Sequence, residues 1–202
     1  EVTWVERFKE EVEANSNGRI TVEIFPSAQL GSQEDNVASL ANNSLEMTCV
    51  NSTILNTISP STMMLACPAL FANEEECDAV LASEWGQNFW DNVAKESGVR
   101  VLSAFCNGMR SFTTSNKELT TVDSAKGVTF RVMPSAVYEK MVEAIGANPV
   151  PMPGSEMYTA MQNGTVDGQE NPLGIITGNK FEEVQSYCTC LLYTSDAADD
   201  LT

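Results

Sequence analysis

At 202 residues and 43% hydrophobic, the chain is long enough to bury a core and is neither disordered nor fibrous. Its 28 acidic against 11 basic residues give a net charge of −17, a surface that repels nucleic acid and anionic lipid and excludes both as partners. Histidine is absent, which rules out a Ser-His-Asp triad or a His-based zinc site and leaves any anionic ligand to local guanidinium groups.

The pattern opens inside a helix. Trp4, Phe8 and Val12 recur at helical spacing with Val5 beside them, and no capping residue precedes them. From this start at Glu1 without a Met, a lost N-terminal piece is expected, so a missing signal peptide carries no weight for localisation. No run of about 18 apolar residues offers a membrane span.

Residues 1–14 are expected as a helix stopped at Asn15-Ser16-Asn17-Gly18. Alternation at Ile20, Val22 and Ile24 predicts a strand, 33–43 a helix, and 45–50 a strand running into Asn51-Ser52-Thr53. Met63 to Phe71 reads as a buried strand broken by Pro68. Glu74 to Trp90 is helical with Gly86 as an interruption, Gly98 ends the helical stretch, and Val99 to Phe105 is the next strand.

Cys106-Asn107-Gly108 is a turn at the midpoint, where a second series begins. It runs through a strand at 112–114, a one-turn helix at 122–127, a strand at 128–132, and a helix capped by Ser135 and ending at Gly146. A strand at 148–152, a helix capped by Ser155, a strand at 166–169 and a helix opened by Pro172 follow. This alternation predicts an α/β fold with parallel sheets, whose ligands bind at the carboxyl ends of strands. Arg131 and Asn171 both occupy such ends.

The six cysteines at 49, 67, 77, 106, 188 and 190 form no CxxC pair. They are expected as buried, free, apolar side chains, with one disulfide open in an oxidising compartment. No metal or other cofactor is expected. The methionines at 63, 64, 133, 141, 152, 157 and 161 are expected in the core.

The strings GRITVEIFPSAQLGSQED, RVMPSAVYEKMVEAIGANPVPMP and MQNGTVDGQENP, in that order, resemble the dicarboxylate-binding type of solute-binding subunit of tripartite ATP-independent periplasmic (TRAP) transporters. The resemblance covers roughly residues 1–190. It implies a two-lobed periplasmic-binding-protein fold with a mostly parallel sheet in each lobe: lobe I at 1–106, lacking its first strand, and part of lobe II at 107–190. The tail 191–202 does not resemble the family and reads as translated read-through. The resemblance further implies a monomeric periplasmic receptor that binds a small organic acid and hands it to TRAP permease subunits, without membrane insertion of its own.

By the same resemblance, Arg131 in the RVMPS motif forms a two-pronged salt bridge with the ligand carboxylate, for which a planar guanidinium fork is suited. Arg110 is implied as a second ligand-facing arginine, its alternative being a hinge salt bridge to an acid. Asn171 of QENP is implied as a hydrogen-bonding partner, against a role in opening the next helix, and Asn51 as a contribution from the other lobe. Gly154 departs from the bulkier residue usual after Pro-Met-Pro and leaves the ligand unnamed. The other function classes are a ligand-sensing domain of a signalling receptor and an enzyme using Asp167 and Glu170 on a sugar acid. Three residues apart on a strand, those two carboxylates face opposite sides, so solvated or hinge roles are expected for them instead.

Overall fold

Capping chemistry sets where the helices of the first half begin. The computed structural model describes residues 2–190; the tail expected at 191–202 lies outside the described residues. Helix α1 spans Val2–Asn15 and α2 spans Gln33–Ala41. A reciprocal box opens α2: Ser32 Oγ accepts from Asp35 N at 3.1 Å, and Asp35 Oδ2 accepts from Ser32 N at 2.8 Å. These bonds to Ser32 hold the Asp35 carboxyl below its usual range. The helix expected from Glu74 is split into α3, Glu74–Ala82, and α4, Glu84–Ser97. The break falls at Ser83 rather than Gly86, because Ser83 is extended and its hydroxyl accepts from Gly86 N at 3.3 Å, capping α4. Gly98 ends α4 in the left-handed region at φ 72°.

None of the strands expected in residues 1–106 forms a ladder among the described residues. The stretches around 20–25, 45–50 and 99–105 carry no strand, and 60–66 is a 3-10 helix opened by Pro60 instead of a strand. The alternation that suggested the first strand survives only in part, with Val22 and Ile24 half-buried between exposed Thr21 and Glu23 but Ile20 54% exposed. Alternation orients side chains, but a strand exists only where a neighbour supplies its hydrogen bonds. Val50 and Val101 still pack on a small cluster of Val37, Ile54 and Leu55.

The second half does build a sheet. Its strands are β1 Arg110–Thr114, β2 Thr129–Val132, β3 Asn148–Pro151, β4 Gly168–Pro172 and β5 Tyr187–Cys190, in the order β3-β2-β4-β1-β5. Between them lie α5 Ala136–Ala144, α6 Met157–Gln162 and α7 Leu173–Gly178. In this half the expected mostly parallel sheet is observed, with β1 alone reversed. β2 runs parallel to β3 and β4, whereas β1 is antiparallel to β4 and β5. Strand–helix–strand rhythm dictates parallel pairing only where a helix carries the chain back, as α5 does between β2 and β3. α7 likewise carries the chain from β4 to β5, which run in the same direction on either side of β1; only β1 is not reached through such a unit.

Each face of the sheet has its own core. Phe112, Phe130 and Val132 pack with Tyr138 and Val142 of α5, and Ala66 reaches them from the 3-10 helix. Met157 and Met161 of α6, Val166, Ile176 of α7 and Phe181 form the other cluster. Burying side chains as completely as Phe130 and Val132, each 0% exposed, stabilises by about 1.5–3 kcal/mol apiece. Gly168 allows β4 to lie against β1: a Cβ there would stand 2.0 Å from the Thr113 carbonyl oxygen.

Several expectations require correction. Of Cys49, Cys67, Cys77, Cys106 and Cys188, Cys77 alone is buried; Cys49, Cys67 and Cys188 are exposed, and Cys106 is half-buried. Met64 is exposed rather than core, and Met63, Met141 and Met152 are half-buried. Ser135 precedes α5 but makes no capping hydrogen bond, and its hydroxyl is buried without a partner. Ser155 lies within a 3-10 turn ahead of α6, and Pro172 is the last residue of β4 rather than the first of a helix.

Candidate functional site

All of β4, Gly-Gln-Glu-Asn-Pro, is buried although most of its residues are polar. Such a strand must satisfy its side chains internally, and its two neighbours show how. Gln169 lies level with Arg131 on β2 and with Thr113 on β1, so these side chains and Asn171 share one sheet face. Gln169 Nε2 donates to Thr113 Oγ1 at 2.8 Å, and Thr113 Oγ1 donates onward to Gln185 Oε1 at 2.9 Å. Asn171 Nδ2 donates to Gln169 Oε1 at 2.5 Å and to Met157 Sδ at 3.6 Å.

Arg131 is 3% exposed at this face. Its Nε and Nη2 both donate to the Met152 carbonyl, at 3.0 and 2.8 Å, just past the end of β3. Among the described residues no carboxylate pairs with it, and Nη1 donates to none of them. Burial lowers its pKa to about 10; Glu170 opposes the shift and the charge on Arg110 adds to it. The guanidinium therefore remains positive at neutral pH. A Cβ added at Gly154 would stand 3.9 Å from Arg131 Nη2, an ordinary contact, so the space beside the fork does not demand glycine.

Arg110 differs. Its Nε is paired with Glu170 Oε2, and its Nη2 donates to Glu170 Oε1 at 3.1 Å, to the Glu170 carbonyl at 2.9 Å and to Asn171 Oδ1 at 3.2 Å. The guanidinium also lies 5.2 Å from the centre of the Tyr138 ring. Burial works against its charge, but Glu170 and Tyr138 together more than offset this and the pKa is raised. Tyr138 is pushed up by burial, with Arg110 opposing. Glu170 is fully buried, which overturns the expectation of a solvated carboxylate. Asp167 is also engaged: its Oδ2 accepts from Thr129 N at 2.8 Å. Glu170 is thus committed to Arg110, and one oxygen of Asp167 to the backbone of β2.

Thus Arg110 and Asn171 are in direct contact, with Arg131 one strand away through Gln169. Asn51 stands apart. Its Oδ1 accepts from Thr53 N at 3.0 Å, and its own N–H donates to Gln33 Oε1 at 2.7 Å. Among the described residues these hydrogen bonds reach none of Arg110, Arg131 or Asn171. A cavity of about 370 Å³ opens where β1 begins and β4 ends, with Cys106, Gly108, Met109 and Pro172 in its wall. Sequence reasoning missed Glu170 as the partner of Arg110, the Gln169–Thr113–Gln185 chain and the Met152 carbonyl. A strand written almost entirely in polar letters between buried neighbours was the available signal for the first two.

No cluster of potential metal ligands occurs among the described residues, and no helix among them is long and apolar enough to cross a membrane. The profile of bacterial extracellular solute-binding protein family 7 matches residues 1–194. The chain belongs to that family. A solute-binding protein of Roseobacter denitrificans is 34% identical over 181 residues, covering 90% of this chain and 55% of the relative. The sugar-acid-binding protein of Advenella mimigardefordensis, solved with galactonate, superposes with a TM-score of 0.86 at 36% identity, covering 91% of this chain and 59% of that one. A TRAP periplasmic solute-binding protein of Polaromonas, solved with D-erythronate, gives 0.87 at 30% identity, covering 91% and 60%. The chain therefore spans about half the length of the curated relatives it matches, 55% of the first.

Proposed function

We propose that the chain is the greater part of an extracytoplasmic receptor that binds a small organic acid and delivers it to a TRAP permease, acting as a monomer. Residues 1–106 and 107–190 belong to two lobes in this reading, with the turn at Asn107-Gly108 as the crossover. The observation that carries it is Arg131: a buried, charged guanidinium with no carboxylate partner among the described residues and an unused Nη1. A desolvated cation in that state gains strongly from a ligand carboxylate, and its planar fork matches two oxygens. Asn171 adds polar atoms at the neighbouring strand end. Arg110 acts beside it as a cation already neutralised by Glu170, and Asn51 contributes from the first half when the lobes close. The sugar acids bound to the Advenella and Polaromonas relatives support a polyhydroxy acid as ligand class.

Calorimetry with aldonates, uronates and C4-dicarboxylates on the chain completed to family length tests the reading. Arg131→Ala is expected to weaken carboxylate binding by about 2–5 kcal/mol, the cost of removing one partner of a desolvated charge pair. Affinity unchanged in that variant would refute the assignment of Arg131.

A further inference from the structure

Segment 106–108 runs along helix α3. Cys106 N donates to Asp78 Oδ1 at 2.6 Å, and a Cβ at Gly108 would stand 3.5 Å from Glu74 Oε1. The side chain of Cys77, between those two acids on α3, is 8% exposed and close enough to the Cys106 thiol for the two to influence each other electrostatically. Both cysteines are unbonded thiols in the structure. Cys106 is half-buried and lines the cavity of about 370 Å³ that opens at this point, so a small disulfide has a route to its sulfur. Sequence spacing left the pairing of the cysteines open; the fold brings this pair together.

We propose that Cys77 and Cys106 form an intramolecular disulfide that ties the crossover segment to α3. The oxidant is a disulfide of the thiol-exchange class, RSSR. The Cys106 thiolate attacks one of its sulfurs, its own proton having gone to solvent; one S–S bond breaks and a thiolate RS⁻ leaves, taking a proton from solvent. The Cys77 sulfur then attacks Cys106 Sγ in the mixed disulfide. The second RS⁻ departs with the proton that Cys77 gives up. Two protein thiols and one RSSR thus become one protein disulfide and two RSH. Burial and the neighbouring Cys106 push the Cys77 thiol up to about 12, which assigns the first attack to Cys106 and the resolving step to Cys77.

The chain incubated with oxidised glutathione, alkylated and cleaved after glutamate yields a peptide 77–84 whose only cysteine is Cys77 and a peptide 97–118 whose only cysteine is Cys106. The expected result is these peptides joined by a reducible link, with Cys49 and Cys67 recovered alkylated. Both peptides recovered separately alkylated, a stable glutathione adduct on Cys106, or either residue linked to another cysteine would overturn the proposal. The mapping uses the unmutated chain, so it does not depend on a variant folding. It also reads no ligand, so its failure is distinct from failure of the Arg131 assignment.

Discussion

Replacing Glu170 by glutamine keeps the shape of the side chain and removes its charge. Glu170 is 0% exposed and the Arg110 side chain 15%, so the cation would be left in a largely water-free setting. Breaking such a pair by deleting one partner costs about 3–5 kcal/mol. Here the lower figure applies, because Arg110 Nη2 keeps the Glu170 carbonyl at 2.9 Å and Asn171 Oδ1 at 3.2 Å, and the Tyr138 ring still faces the guanidinium. For a domain of this size a loss of about 3 kcal/mol corresponds to a fall in Tm of about 6–12 °C. Thermal and urea unfolding followed by far-UV circular dichroism measure it. The double variant Arg110→Met/Glu170→Leu should recover to within about 1 kcal/mol of the parent, since an apolar pair removes both desolvation costs. If Glu170→Gln lies within about 0.5 kcal/mol of the parent, or the double variant is worse than the sum of its singles, the pair is not a mutually dependent buried unit.

Ser135→Ala tests a cap that the sequence suggested and the structure lacks. A capping serine would cost about 1 kcal/mol on removal, whereas a buried hydroxyl without a partner is better absent. Unchanged or higher stability is expected in urea titration, and a loss of that size would restore the cap. For the reduced chain, the Cys77 thiol is pushed up from 9.0 to about 12. With the folded value above the unfolded one, this contribution is complete below the unfolded value and is lost as pH rises toward the folded one. Stability should fall as pH rises across that window, and Cys77→Ala should remove this component of the slope. Parallel slopes for parent and variant in urea titrations under reductant would count against it.

The second half of the fold was legible because its signals are local. Gly146 after α5, the apolar run ending at Arg131 and the Pro-rich β3 each act within a few residues. Strand pairing in residues 1–106 was not, since Ile20, Val22 and Ile24 alternate correctly yet no described segment lies beside them to complete a ladder. At the site, the strand-end positions of Arg131 and Asn171 could be read from element order. The attachment of Arg110 to Glu170 could not, because it depends on β1 running antiparallel to β4, and that direction is written in no local motif. Asn51 caps the 3-10 turn that follows it, so its side-chain oxygen is held by its own turn.

The mixed sheet also bears on the order of folding. β2, α5 and β3 form a contiguous unit, while Arg110 and Glu170 are 60 residues apart and meet only when β1 inserts between β4 and β5. Closing that longer loop is slower and entropically more costly than completing the local unit. We therefore expect amide protection in pulse-labelled hydrogen exchange to appear in β2 and α5 before β1; simultaneous protection would contradict this order. Intermediates that have passed through the early stage would carry Arg131 on its strand but lack the Arg110–Glu170 pair beside it. Such a chain would hold a guanidinium on an unfinished surface, so acid recognition arrives with the last strand rather than with the first collapse.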